Sequence, residues 1–360
     1  MDKERLKDEF IRQINIPSVS GNEEQFSLYL ESQLRELGLK VERDSLGNLF
    51  ARLEGEIPHK RPLLLCAHLD TVPTDPIKFK LEGETIKADG SAILGADDKA
   101  ATAALMETLR SLKEEGIKHG DLEVLLTVQE EVGLVGAKHF DLSKTRSHLF
   151  YVLDYSGPIG LGVRSAPYAN DFRFRFFGKA AHAGGEPEKG ISAIQAMALA
   201  IANMPLGRID FETTANIGIV SGGKATNIVA DLAEMRGEAR SRSLEKLEKQ
   251  TGLMIQAAEE AALSVGAKLE VECVREYDGY FIEEDEEIVL LAQEAAKALG
   301  IDFRLVDAGG ASDANVFSSR GKKALVLSCG YLHPHTPEEE VSLREMFQLC
   351  RFLTELIQRA

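Results

Sequence analysis

His68-Leu69-Asp70, Asp97-Asp98, Glu130-Glu131, Asp154 and His335 bring imidazole and carboxylate donors, with no thiolate, to five places in the chain. Donors of that kind suit borderline or hard divalent cations such as zinc, cobalt or manganese. Sites built from them often hold two ions ~3.5–4 Å apart, bridged by a carboxylate, with water as the nucleophile. The adjacent Glu130 and Glu131 can then divide labour, one on a metal and one taking a proton from water. Taken singly, each motif has an ordinary reading. His-x-Asp is a hydrogen-bonded loop pair, Asp-Asp-Lys is charge favourable to a helix start, and Glu-Glu is a solvated turn. Solvation alone, however, gives no reason for such groups to recur at successive strand ends.

The elements around them predict that recurrence. Leu63 to Ala67 is apolar at every position, as in a strand buried on both faces, and His68 follows it. Leu122 to Val128 precedes Glu130-Glu131, Leu149 to Leu153 precedes Asp154, and a helix from about Lys99 to Glu115 follows Asp97-Asp98. The alternation predicts an open α/β sheet covered by helices, and such sheets bind ligands at the carboxyl ends of their strands. Near the start, Leu6, Phe10, Ile11 and Ile14 have helical spacing. A second helix is expected with Asn22 and Gln25 as a capping pair before Phe26, Leu30 and Leu34, stopped by Gly38. Glu283 to Leu299 predicts an amphipathic helix and Ala324 to Ser328 a buried strand. A last helix is expected from Thr336, with Pro337 at its first position and Glu339 as capping-box glutamate.

The pattern changes after Asp154. Asp171 to Phe177 reads as a strand, Ile191 to Met204 as a helix, and Thr214 to Val220 and Val229 to Arg240 as strands. Leu244 to Val265 then reads as a helix and Lys268 to Cys273 as a strand. That β-α-β-β-α-β order is the ferredoxin-like plan. The expected organisation is a catalytic domain in two parts, 1–164 and 275–360, with a lid domain inserted at 165–274.

With 360 residues, 44% hydrophobic and 28% charged, the composition is that of a globular protein. A net charge of −16 argues against nucleic-acid or acidic-membrane partners, which need a positive field. Cys66, Cys273, Cys329 and Cys350 are far apart and suggest neither a disulfide framework nor a cysteine zinc site. The charged first residues lack a signal core, and no apolar run approaches the ~20 residues of a membrane span. A cytoplasmic location is expected. A nucleotide-binding module is disfavoured, because Gly160-Leu161-Gly162-Val163-Arg164-Ser165 lacks the last glycine of G-x-G-x-x-G and no phosphate-cradling G-x-x-x-x-G-K-S/T occurs.

The chain resembles the co-catalytic dinuclear metal exopeptidases and amidohydrolases, a family that includes peptidase T, glutamate carboxypeptidases, aminoacylase and acetylornithine deacetylase. The resemblance spans essentially the whole chain. It is carried by Ala67-His68-Leu69-Asp70, Leu94-Gly95-Ala96-Asp97-Asp98-Lys99, Glu130-Glu131-Val132-Gly133, Asp154, Gly178-Lys179-Ala180-Ala181-His182-Ala183-Gly184 and His335-Thr336-Pro337. Leu-Gly-Ala-Asp-Asp-Lys and Glu-Glu-Val-Gly look most like the peptidase T branch, whose activity is removal of N-terminal residues from tripeptides. The family's fold is an open mixed sheet with helices on both faces, of the zinc exopeptidase, phosphorylase/hydrolase-like kind, plus a ferredoxin-like lid.

The resemblance implies that Asp97 bridges two divalent ions, Zn2+ first and Co2+ or Mn2+ as alternatives. His68 and Asp154 would complete one site, Glu131 and His335 the other, with His333 as a weaker alternative to His335. Glu130 would be the general base, Asp70 would orient His68, and the Asp97-Asp98 peptide would be cis. His182 would steady the oxyanion, in some relatives from the partner subunit of a dimer, so a homodimer through the lid is a further expectation. Asn227, Arg240, Gly309 and Gly310 would contact a short peptide substrate, the arginine by gripping a carboxylate. A packed turn histidine and a strand-edge salt bridge are the plain readings of His182 and Arg240. A deacylase of N-acyl amino acids or a carboxypeptidase would use the same metals and base, and a catalytically silent binding protein would lack some of these donors.

Overall fold

The run that is apolar throughout forms a strand, Leu63–His68, every residue of which is buried. Burial on both faces requires helices on both sides of the sheet. This strand lies between Leu122–Thr127 and Leu149–Tyr155, parallel to both, and Lys323–Ser328 runs parallel to Leu149–Tyr155. Leu49–Leu53 and Lys40–Arg43 continue one flank antiparallel, and Leu161–Ala166 pairs antiparallel with Lys323–Ser328. The result is the expected open mixed α/β sheet. Its four parallel strands share a direction, so their carboxyl ends share one edge.

The structure is a computed structural model and describes residues 1–360 other than positions 58 and 75. The chain forms two compact units, one of residues 1–164, 281–307 and 312–360, the other of 165–280 and 308–311.

In the first unit the helix Ala96–Glu115 is buried along most of its length. Ala100, Ala101, Ala103 and Ala104 let it sit close against its neighbours, and Gly116, left-handed at φ 62°, ends it with its N–H on Leu112 O. At two helix starts the expected capping residues do not serve as caps, and the helix expected from Glu283 begins at Glu287. The second helix spans Glu24–Glu36 with Glu23 at its cap and no side-chain cap bond. The Glu23 carboxylate instead accepts from Gly21 N and Gln129 N. The last helix spans Leu343–Arg359 and is capped by Ser342, not Thr336. Residues 336–339 form a turn, because Glu340–Ser342 is drawn into a small antiparallel sheet between Tyr331–Leu332 and Thr85–Ala88. Tertiary pairing there overrides a local capping signature.

The second unit follows the ferredoxin-like order. Its sheet runs Gly207–Arg208, Thr213–Gly222, Leu232–Ser241, Tyr168–Phe177, Lys268–Tyr277, with the helices Ala193–Asn203 and Leu244–Val265 packed into its core. Tyr168–Phe177 and Lys268–Tyr277 are each longer than their apolar stretches suggest. Their outward positions carry cross-strand ion pairs, Arg173 with Glu234 at 2.7 Å and Arg175 with Glu270 at 3.1 Å. Inward, Phe172, Phe174 and Phe176 alternate with those charges and are buried against Met235, Leu247 and Met254. Phe174→Ala is therefore expected to cost about 3–5 kcal/mol of stability in this unit, read as a lower denaturant midpoint at unchanged slope.

Candidate metal centre

Three strand ends and two loops deliver the donors. His68 is the last residue of Leu63–His68, in register with Thr127 on the parallel neighbour, so the Glu130-Glu131 loop that follows Thr127 emerges beside it. Asp154 lies near the end of Leu149–Tyr155, on the other side of His68. Asp97 opens the helix Ala96–Glu115 with non-helical angles, and its peptide bond to Asp98 is cis. His335 comes from the turn between Tyr331–Leu332 and Glu340–Ser342, in a left-handed conformation at φ 62°.

These side chains converge. His68 Nε2 lies 3.1 Å from Asp97 Oδ1 and 3.8 Å from Asp154 Oδ1. His335 Nε2 lies 3.2 Å from Asp97 Oδ2 and 2.9 Å from Glu131 Oε1. Three sets, His68/Asp97/Asp154, His68/Glu130/Glu131 and Asp97/Glu131/His335, each have ligand atoms within 4.8 Å of one another. Asp97 thus turns one oxygen to each histidine. Among the described residues, His333 and the cysteines belong to no such set.

Asp70 is buried behind these groups and ties them together. Its main-chain carbonyl accepts from His68 Nδ1 at 3.0 Å, while its carboxylate accepts from Glu130 N, Glu131 N and Ser20 Oγ at 2.9, 3.1 and 2.7 Å. Since a carbonyl can only accept, Nδ1 of His68 carries the proton. With no ion there, burial opposes protonation of His68, but hydrogen bonds to Asp70 and Asp97 outweigh it and raise its proton affinity well above the usual imidazole range, so Nε2 also carries a proton between the oxygens of Asp97 and Asp154. That arrangement calls for a cation between them, and the nitrogen and oxygen donor set fits zinc, cobalt or manganese.

The proton affinities express the same crowding. Burial, then the negative charge of Asp154, pushes the Glu130 carboxyl well above its usual range. Burial also raises Asp154, reinforced by Asp97 and Glu131. Burial opposes ionisation of Asp97 too, but hydrogen bonds from His335 and His68 outweigh it and hold Asp97 below the carboxylate range. Hydrogen bonds to Asp97 and Glu131 push His335 up to about 10. So many carboxylates in one small volume recruit positive charge wherever they can.

Several residues here escaped sequence reasoning. Ser20 steadies Asp70, and Glu23 holds the backbone of Gln129, whose φ is 54°. Tyr331 donates its hydroxyl to Asp154 at 3.3 Å. Asp313, buried and pushed up to about 6 by that burial, accepts from Thr127 Oγ1. Ser20, Glu23 and Tyr331 have no local sequence signal, since each acts on a residue distant in the chain, whereas Asp313 closes the Gly309-Gly310-Ala311-Ser312-Asp313 run, which resembles a Gly-Gly-Ser/Thr-Asp run of the family.

The remaining candidates lie in the second unit. His182 is exposed, and its Nδ1 accepts from Gly184 N and Gly185 N at 3.2 and 3.0 Å. The ring is thereby fixed with Nε2–H as its donor. Asn227 is exposed in the adjoining segment, where its carbonyl accepts from Ala183 N. Arg240 lies on Leu232–Ser241, an interior strand of that sheet, and pairs with Glu238 at 2.8 Å. Gly309 and Gly310 are exposed, and a side chain at either would meet nothing within 4 Å.

Residues 64–359 match the profile of peptidase family M20/M25/M40. The chain is 40% identical to the uncharacterized protein YqjE of Bacillus subtilis (strain 168), over 100% of this chain and 99% of that protein. Aminopeptidase PepT from Bacillus cereus ATCC 10987 is 38% identical and superposes with a TM-score of 0.89, covering 100% of this chain and 99% of its own. A tripeptidase from Staphylococcus aureus subsp. aureus mu50 is 36% identical, with a TM-score of 0.93 and coverages of 99% and 98%.

Proposed function

We propose, because the chain belongs to peptidase family M20/M25/M40 and is a peptide hydrolase, that it removes the N-terminal residue of tripeptides at a dinuclear metal site. The observation that carries this reading is the placement of Asp97, one oxygen toward His68 and the other toward His335. His68 and Asp154 would hold one ion and Glu131 and His335 the other, with Asp97 shared. Two zinc ions are the first choice, with cobalt or manganese as alternatives. When bound, the ions supply Lewis acidity to the peptide carbonyl and to the attacking water.

The chain's own groups do the rest. Glu130 takes the proton of water as it adds to the carbonyl, then delivers it to the departing amine, giving a free amino acid and a dipeptide. His182, with its donor fixed on Nε2, steadies the negative oxygen of the tetrahedral intermediate. Asn227, Arg240, Gly309 and Gly310 grip the peptide backbone or its carboxylate. A cytoplasmic location fits four free cysteines. No helix among the described residues is long and apolar enough to cross a membrane. Pairing of two copies through the inserted unit belongs to the same proposal, supported by the exposed Ile219 and Val220 on Thr213–Gly222.

The test is a panel of free tripeptides and N-acetylated amino acids, assayed after chelation and after readdition of zinc, cobalt or manganese. The expected result is no turnover after chelation, recovery with metal, and release of the N-terminal residue from tripeptides only. Cleavage of the acetylated amino acids with tripeptides refused under every metal would make the protein a deacylase instead.

A further inference from the structure

We infer that Glu339 is a positioning residue, one that sets the shared carboxylate of Asp97 against His335. The inference deepens the dinuclear reading above and rests on it. Glu339 is wholly buried. Its Oε2 accepts from Leu94 N at 2.7 Å and Gly95 N at 2.8 Å, and its Oε1 accepts from Asp97 N at 2.9 Å. A helix start leaves its first backbone N–H groups without partners, and a polar side chain at the cap position normally accepts from them.

The helix Ala96–Glu115 has no such side chain, because its cap is Gly95, left-handed at φ 72°. A residue with a Cβ at that position would meet Ile77 Cδ1 at 3.1 Å in a backbone conformation that side chains disfavour. Asp97 and Asp98 are themselves non-helical, so the Leu94, Gly95 and Asp97 amides belong to the loop ahead of the regular helix, and a carboxylate more than 240 positions along the chain holds that loop.

The source of that carboxylate gives the arrangement its meaning. Glu339 lies four positions after His335, in the same turn. Its carbonyl accepts from Ala88 N, and its amide donates to Thr336 O at 3.1 Å. The backbone that carries His335 is thus fixed at Glu339, and the Glu339 carboxylate holds the backbone N–H of Asp97. The two loops that must face each other across Asp97 Oδ2 and His335 Nε2, 3.2 Å apart, are fastened by one side chain. A carboxylate suits this work because it only accepts, with two oxygens for three donors. Glutamine would turn an NH2 group toward either the Leu94 and Gly95 amides or the Asp97 amide, donor against donor.

The experiment titrates metal-free wild type and Glu339→Gln with Co2+, by calorimetry and by visible absorption. Wild type is expected to take two ions. The variant is expected to bind about 10–100-fold more weakly, as when other partners of metal ligands are removed, with an altered cobalt spectrum. A variant that binds as wild type does, or that only melts lower while its folded form gives the wild-type spectrum, overturns the inference alone. A wild type that takes fewer than two ions overturns the dinuclear reading and the inference with it. Should the variant fail to fold, amide exchange in wild type decides. The Leu94, Gly95 and Asp97 amides are expected to be protected without metal, and exchange at the rate of open chain would overturn the inference.

Discussion

Glu130→Gln is expected to lower kcat by about 10²–10⁴-fold while the protein keeps its fold and its metal. Glutamine fills the same space but cannot hold a proton, so only the transfer step is removed. The backbone N–H of Glu130, which donates to Asp70, is untouched, and Asp97, Glu131, Asp154 and both histidines remain to bind ions. The raised proton affinity of the buried Glu130 gives the result a pH signature. A carboxyl shifted upward is protonated at a higher pH than a free one. Wild-type kcat/KM should fall toward acid as that base is lost, and the residual rate of the variant should lack the limb. Rate profiles together with metal analysis check both halves. A variant that retains most of its turnover would remove Glu130 from the proton-transfer role.

His68→Ala should act the other way, by emptying the site. His68 is buried, its Nδ1–H is fixed by the Asp70 carbonyl, and its Nε2 faces both Asp97 and Asp154. Alanine leaves the buried Asp97 and the half-buried Asp154 with no nitrogen between them. Loss of a ligand should weaken binding by more than the ~10–100-fold typical of losing a ligand's supporting partner. The variant purified by gel filtration is expected to carry fewer ions than wild type and to show background activity that added zinc does not restore. Full metal occupancy in that variant would exclude His68 as a ligand.

How much of this was legible depended on whether the signal was local. Leu63 to Ala67, apolar at every position, announced a doubly covered strand, and the donors that follow successive apolar runs announced the edge where they meet. The inserted ferredoxin-like order could be read because its helices and strands carry their own periodicities. What failed was whatever a distant partner decides. Thr336-Pro337-Glu338-Glu339 has the local grammar of a helix start, yet the Glu339 carboxylate serves a different helix and the backbone that follows is taken by Thr85–Ala88. Glu23 likewise spends its carboxylate on Gly21 and Gln129 rather than on a capping bond of its own helix. Short strands such as Tyr331–Leu332 and Glu340–Ser342 exist only through pairing, and two or three residues carry too little periodicity to reveal them.

The donors come from two stretches of chain, one ending with Asp154 and the other containing His335, and the whole second unit is threaded between them. Cations seated on Asp97 would therefore cinch a discontinuous body into a closed ring, like a buckle joining the two ends of a strap. Their binding free energy would become folding free energy for that body, since the unfolded chain offers no preformed cage. The inserted unit has a phenylalanine core of its own, and none of the proposed ligands belongs to it.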